Sequence, residues 1–400
     1  MGTRGQTQVC VVEAGPAGLL LAHLLHREGV GVVVLEAKSR AYLETSPHRI
    51  RAGVMEWGTK EILVQAGLGE GLLKNGYEHQ GIYLAHGGEL HRIDFPSLAE
   101  GWRIWVYGQQ YQVRDMIARF LEEGGEILFE REVVGLSDLE TAPKVRFRTP
   151  DGEEGELEAE FVVGADGSHS RTRGFIPGLV LKEKNYPFAW LGILAETSPA
   201  ADELIYASHP RGFALFSMRS KTLARNYLQV SPEENLEAWS EDRIWEELNV
   251  RLGGVARVQP GPLLEKSLTP HRAFVAEPMQ HGRLFLVGDA AHVVPPTGAK
   301  GMNLAVADAV ALFQALWAFY RKGEEEKLRR HTETCREHVW QGEFFSYWMT
   351  NLLHTQPDPF LEGLRQAELK QALASEALKR FLAENYTGRR TTGRWVGLWA

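Results

Sequence analysis

Near its N-terminus the chain reads QVCVVEAGPAGLLLAHLLHREGVGVVVLE, and no other stretch constrains the fold as much. QVCVV is a short apolar run rich in β-branched residues, the pattern of a buried strand. GPAGLLLAHLLHREG places Leu, Ala and His at helical spacing and stops at Gly29. GVVVLE is a second buried-type strand, ending in Glu36. Residues 8–36 therefore read as strand, turn, helix, strand, a βαβ unit near the minimum size for one.

The turn of that unit is unusual. A dinucleotide-binding turn reads G-x-G-x-x-G; here Gly15 and Gly18 fill the second and third places, and Glu13 stands in the first. Glycine is favoured there because the chain turns tightly out of the strand. If the position needs a positive φ, a Cβ is strained, and the carboxyl could face a bound pyrophosphate. If φ is negative and the side chain turns outward, the cost is small. Glu36, at the end of the second strand, is placed to accept from a ribose hydroxyl. Alone, the motif is equally compatible with a Gly-rich turn that binds nothing.

Composition narrows the classes. With 52 acidic and 44 basic residues the net charge is −8, which argues against a general nucleic-acid binder but leaves room for a local basic site. The two cysteines, Cys10 and Cys335, form no C-x-x-C motif. Buried thiols in a reducing compartment are expected, with a single disulfide left open. MGTRGQTQVCVV lacks a secretory h-region, Gln6 breaks the myristoylation pattern, and the apolar runs look too short to span a bilayer. A cytoplasmic protein without a membrane partner is the expectation.

Further along, YPFAWLGILAE, GFALFSMRS and NYLQV alternate as strands of an antiparallel sheet between about Tyr186 and Val230. RLFLVGDAAH gives another strand-to-turn step, and GMNLAVADAVALFQALWAFYRKG a long helix. The remainder to about Asn385 reads as mostly helical, with KGEEEKLRR a solvated charge run. There is no internal repeat.

Two later stretches carry polar residues on strand ends. FVVGADGSHSRTR holds Asp166, Gly167, His169 and Arg173; RLFLVGDAAHVVPPTGAKGMNLA holds Asp289, Pro295, Pro296, Gly298, Gly301 and Asn303. Asp289 closes an apolar strand, where a carboxylate can accept from a sugar or ribitol hydroxyl. PPTGAKG is a rigid, then permissive loop entering a helix whose N-terminus favours negative charge. Each alone is most simply a turn. Together, in this order, they resemble the class A flavoprotein aromatic hydroxylases, over nearly the whole chain.

The resemblance implies an α/β fold: a Rossmann-like FAD-binding domain with a parallel sheet (1–79, 103–182 and 271–305), an antiparallel-sheet substrate domain (80–102 and 183–270) and a C-terminal helical region (306–400). It implies FAD as cofactor, NADPH or NADH as reductant, O₂ and a phenolic acid as substrates, and a homodimer. Carried over by motif, FAD would meet Gly15, Gly18, Glu36, Arg51, Gln109, Asp166 and Asp289, with backbone near Gly53, Gly301, Met302 and Asn303. Arg225 matches a residue near the flavin's motion between an inner and an outer position. Arg49, His169 and Arg272 match positions linked to the reductant.

A phenol bearing a carboxylate needs a cation, neutral donors and an apolar slot. In FALFSMRS, Ser217 and Arg219 share a strand face, and Tyr227 lies on a strand expected to pair nearby. Arg219 can grip a carboxylate bidentately while the hydroxyls add donors; spacing alone fits a surface arginine with two half-buried hydroxyls as well. The resemblance assigns Ser217, Arg219 and Tyr227 to the substrate carboxylate. It assigns Tyr206 to the phenol, Tyr386 to the extension of that hydrogen bond, and the Pro296 carbonyl to the phenol too. His79 falls at the solvent end of a proton relay from Tyr206 through Tyr386, where a group titrating near neutrality is useful.

RIRAGV, VYGQ, ELIYASHPRGFAL, EPMQHGRLFLVGDAAHVVPPTGAKG and AENYTG are most similar to the members that hydroxylate 4-hydroxybenzoate to 3,4-dihydroxybenzoate. Hydroxylation of a close phenolic-acid analogue, or a non-catalytic, FAD-poor binder of aromatic acids because of Glu13, are the alternatives. The chain departs from those members in four places: Glu13; Ala17 in place of a serine; a longer segment from Ala37 to Arg49; and an unmatched tail, TGRRTTGRWVGLWA. In the longer segment Ala37 removes a basic candidate for the reductant and Lys38 and Arg40 supply others. The tail tryptophans are expected to pack on the protein or on a partner subunit.

Overall fold

The computed structural model describes residues 4–45 and 53–398. Among them run two eight-stranded sheets and one of three strands. The first sheet has a parallel core in the order Leu284–Leu286, Glu154–Gly164, Arg4–Val12, Val32–Glu36 and Glu126–Phe129. Its register sets the chemistry: Val12 lies opposite both Leu35 and Gly164, and Gly164 opposite Leu286. The three strands that precede the Gly-rich turn, the DG turn and the GD turn therefore end in one row. In an open parallel sheet ligands lie along that carboxyl edge.

The helix Pro16–Arg27 starts with proline in its first turn, where a missing N–H costs nothing. It is buried over Ala17–Leu25 and packs on Gly301–Lys322, whose apolar face completes the core on that side of the sheet. Gly301–Lys322 is long and apolar enough to cross a membrane, which corrects the expectation from apolar run length; 78% of its apolar window is buried inside the protein.

The second sheet runs His292–Val293, Leu263–Glu277, Val180–Ala195, Ala224–Val230, Gly212–Met218, Ile205–His209, Gly81–His86 and Glu89–Asp94. It is antiparallel except where Ile205–His209 meets Gly81–His86. Its middle is covered on both faces. Ala214 and Phe216 pack with Trp245 and Leu248 of the helix Glu241–Arg251, whereas Phe213 and Leu215 pack with Phe345, Leu352 and Tyr386 of the C-terminal helices. Double coverage makes Gly212–Met218 buried along its whole length, and each large side chain so enclosed contributes about 1.5–3 kcal/mol. The third sheet joins Val54–Glu56, Ile104–Val106 and Tyr77–His79.

Cys10 and Cys335 are free, buried thiols. The tail is part of the core of the molecule: Thr391 and Thr392 are buried, and Trp395 stands edge-on to His338 at 5.7 Å.

Candidate active site

The Gly-rich turn has the tight form, and Glu13 occupies it at φ +77°, so the strained alternative is the one realised. A Cβ on Gly18 would stand 2.5 Å from the Glu13 carbonyl, so glycine is required where the helix crosses the turn. At Gly15 the nearest atom to an added Cβ is 3.8 Å away, which leaves the helix N-terminus open. The first intrahelical bond there runs from Leu19 to Gly15, so the preceding amides are available to an anion. Glu36 is almost fully buried; its Oε2 accepts from the Ala14 amide at 2.8 Å and its Oε1 from the Lys38 amide at 2.7 Å.

The helix Gly301–Lys322 presents a second open N-terminus to the same edge. Its first intrahelical bond is Leu304 to Lys300, ahead of which lie the amides of Gly301, Met302 and Asn303. The Asn303 side chain is fully used in holding that terminus. Its Nδ2 donates to Val54 and Ala299, and its Oδ1 accepts from the Glu56 amide and the Thr59 hydroxyl. Gly53 meets Tyr107 so closely that an added Cβ would lie 1.6 Å from the Tyr107 carbonyl. Gln109 opens the helix Gln109–Glu122 beside them. Open helix termini, a glycine cradle and a ribose-ready carboxyl fit FAD's diphosphate, flavin edge and adenosine.

Asp166 and Asp289 follow the neighbouring strand ends. Asp166 is committed to its own loop, accepting from the Arg171 and Thr172 amides at 2.8 and 3.0 Å and from the Thr172 hydroxyl at 2.7 Å. Asp289 sits half-buried in the 3₁₀ turn Gly288–Ala290. Arg173 and Arg272 stack over Phe274 from 4.7 and 5.0 Å and both donate to the Ser168 carbonyl, with His169 exposed beside them. Arg49 and Arg51 lie outside the described residues.

The substrate residues come together through sheet register. Leu215 lies opposite Tyr206 on one side and Tyr227 on the other, and Ser217 opposite Arg225. Directly paired residues share a face, and so do residues two apart. Tyr206, Ser217, Tyr227 and Arg225 therefore project from one face, and the Arg219 guanidinium returns to it, donating to Ser217 Oγ at 3.2 Å and to the Met218 carbonyl at 2.8 Å. Ser217 itself donates to the Arg225 carbonyl at 2.6 Å. Arg219 is buried, and its Nε and Nη2 have no hydrogen-bond partner among the described residues. Burial pulls its pKa below the ordinary arginine value, yet guanidinium keeps its charge in proteins. A buried cation with two unused donors calls for an anion.

Tyr206 and Tyr386 are buried, with their hydroxyls 2.5 Å apart. Burial raises both pKa values well above the usual phenol range, so both rings are neutral. Phe95 stacks on Tyr386 at 5.4 Å and fixes its ring.

One expectation needs correction. His79 is not at solvent: it is 1% exposed, neither ring nitrogen has a hydrogen-bond partner among the described residues, and burial pushes its pKa down to about 4. The Pro296 carbonyl accepts from the Ala299 amide at 3.0 Å, closing its own turn, while the ring is exposed. Arg225, on the same sheet face, donates to Glu265 at 3.2 Å and Ser267 at 3.0 Å.

Sequence reasoning missed the groups that brace these loops. Asp308, in the apolar helix, accepts from the Gly288 amide at 2.8 Å and contacts the Nε2 atoms of His292 at 2.7 Å and His338 at 2.6 Å. Lys300, fully buried, pairs with Glu56 and donates to the Asn385 carbonyl. Trp190 lies 4.8 Å from the Tyr227 ring and donates to His354 Nε2 at 2.7 Å. A carboxylate inside an apolar helical stripe was the readable signal for Asp308; the others depend on long-range contacts.

The FAD binding domain family matches residues 6–346. With the site above, this makes the chain a member of the class A flavoprotein aromatic hydroxylases, FAD-dependent monooxygenases. It is 43% identical over 389 residues to p-hydroxybenzoate hydroxylase of Acinetobacter baylyi, covering 96% of this chain and 95% of that protein. It is 29% identical over 403 residues to rifampicin monooxygenase of Streptomyces venezuelae, covering 95% of this chain and 78% of that one. The fold matches the crystal structure of p-nitrophenol 4-monooxygenase from Pseudomonas putida with a TM-score of 0.82 at 22% identity, over 97% of this chain and all of that one.

Proposed function

We propose that this protein hydroxylates 4-hydroxybenzoate to 3,4-dihydroxybenzoate, using NAD(P)H and O₂. The observation that carries the substrate is Arg219: a buried guanidinium with two unused donors, flanked by Ser217 and Tyr227, on the sheet face that also carries Tyr206. The carboxylate of the substrate pairs with Arg219 and takes hydroxyl donors from Ser217 and Tyr227. The phenol then meets Tyr206. The kinship with p-hydroxybenzoate hydroxylase supports the same assignment.

FAD, when bound, supplies the electron transfer and oxygen activation that side chains lack. It would be held by the amides after Gly15 and Gly301, by Glu36, and by the backbone around Gly53 and Gln109, with Asp166 and Asp289 at the neighbouring strand ends; the family resemblance adds Arg51. The protein's own part is to orient, ionise and shield. Neutral Tyr206 accepts the phenol proton by handing its own to Tyr386, so that charge develops on the substrate oxygen and enriches the adjacent ring carbon. On the family resemblance we also assign the Pro296 carbonyl to the phenol and His79 to the proton path beyond Tyr386. The enclosing aromatic residues exclude water. Arg173, Arg272 and His169 form the basic surface for the reductant, to which the family resemblance also assigns Arg49.

We also propose a cytoplasmic homodimer. Trp340, Phe344 and Tyr347 leave an exposed apolar stripe on the helix His331–Leu353, continued by Phe360 and Leu364 of the next helix, a surface suited to a second copy. Purified protein should bind FAD and oxidise NADPH or NADH faster with 4-hydroxybenzoate present, giving 3,4-dihydroxybenzoate. Stimulated oxidation without the catechol product would transfer the assignment to an analogue.

A further inference from the structure

Two glutamate side chains meet at the carboxyl ends of Arg4–Val12 and Val32–Glu36. The backbone at Glu13 is fixed on both sides: its amide donates to the Leu35 carbonyl at 2.8 Å, and its carbonyl lies against Gly18. With φ at +77° the side chain is directed across the edge, where Oε1 lies 3.4 Å from the Ala37 amide. Glu36 stands beside it, held by the Ala14 and Lys38 amides. The other charged group facing Glu13 is Asp166, from the end of Glu154–Gly164. The nearest cations in sequence are turned elsewhere, Lys38 over the Tyr42 ring and Arg40 onto Glu44. No lysine or arginine pairs with Glu13 among the described residues.

We propose that Glu13 is a second, proton-bearing carboxyl of the FAD adenosine site, so that with Glu36 it offers the ribose both a donor and acceptors, and FAD is released more readily once that proton is lost. Burial, and then the nearness of Glu36, push the Glu13 pKa up to about 8. At neutral pH Glu13 then adds no negative charge beside the cofactor's diphosphate. Above that pH the second carboxylate repels the diphosphate and no longer donates to a ribose oxygen. Glu13 is thus a cofactor-binding residue that makes FAD affinity pH-dependent where glycine would not.

The inference rests on FAD binding, and its test is independent of which phenol is hydroxylated. Holoenzyme is diluted at steps from about pH 6.5 to 9.5, and released flavin is read by fluorescence to give the FAD Kd, a range that brackets loss of the proton. For the parent, Kd should rise with pH through the transition, by about ten-fold in total. For Glu13→Gln, Kd should stay flat across the range. Glu13→Gly should be flat too, and its folding is favoured because glycine suits the positive φ. At the alkaline end both variants should hold FAD roughly ten-fold tighter than the parent, as expected for one lost like-charge contact. A parent Kd independent of pH, or variants that keep the parent's slope, would overturn the proposal.

Discussion

The hydroxyls of Tyr206 and Tyr386 share one hydrogen bond of 2.5 Å between a strand and the C-terminal helix Glu376–Tyr386, and both are sealed from solvent. Burial raises both pKa values, so the pair exchanges protons without storing charge. Tyr206→Phe should therefore spare affinity for 4-hydroxybenzoate to within about ten-fold, the loss of one neutral hydrogen bond. Product formation should fall by roughly a hundred-fold or more. The pH-dependent absorbance of bound substrate separates the two: the parent should ionise its ligand at a lower pH than the variant. Equal ionisation in both would remove Tyr206 from the proton path.

Arg219→Ala leaves a carboxylate in a buried slot without its cation. Binding should weaken by at least about thirty-fold, equivalent to roughly 2 kcal/mol. Arg219→Lys should recover only part of this, because an ammonium lacks the planar fork. Flavin spectral perturbation on substrate titration gives both constants. FAD affinity should be the same in all three proteins.

The parallel sheet, the antiparallel strands and the meeting of three turns were legible because short-range patterns encode them: β-branched runs, glycine spacing and alternation. The register that gathers Tyr206, Ser217 and Tyr227 on one face follows from the same alternation once pairing is known. What escaped depends on tertiary enclosure. His79 looks like a neutral-pH titrant until its strand is buried. The side-chain role of Asn303, bonded to Val54, Glu56 and Thr59, has no local signal either. Glu13 is the intermediate case: the sequence posed the alternatives for φ, and the tight packing of its carbonyl on Gly18 decided between them.

The C-terminal tail, unmatched among the most similar members, completes a buried ion pair. Glu56, paired with Lys300, also accepts from the hydroxyls of Thr391 and Thr392. A chain ending at Gly388 would leave that carboxylate with fewer donors in a dry site. Removing residues 389–400 should lower the melting temperature by several degrees, the effect of a few kcal/mol. Lys300→Met should cost about 3–5 kcal/mol by stranding Glu56. The double variant Lys300→Met/Glu56→Leu should recover much of the loss, measured by thermal unfolding. If the double variant is no better than the single, the charge is not what the site penalises.

Asp308 gives the fold a distinct pH signature. Burial alone would raise its pKa, but His292 and His338 outweigh burial and hold it far below the usual carboxylate range. Burial opposes the charge on His292 as well, and Asp308 outweighs it, raising His292 above its ordinary value. For Asp308, the depressed folded pKa means stability that is present above about pH 4 and lost as pH falls towards the folded value. For His292, the raised folded pKa means stability fully present below about pH 6.5 and lost as pH rises through the folded value. Both contributions are whole between those limits. Asp308→Asn keeps the shape and removes the charge, so the stability difference from the parent should be greatest in that window, on the order of 3–5 kcal/mol. It should shrink towards both acid and alkali. Because Asp308 also accepts from the Gly288 amide, the variant should release FAD more readily. Chemical denaturation across pH reads the first effect and flavin fluorescence the second; a pH-independent stability difference would rule out the charge coupling and leave only a lost hydrogen bond.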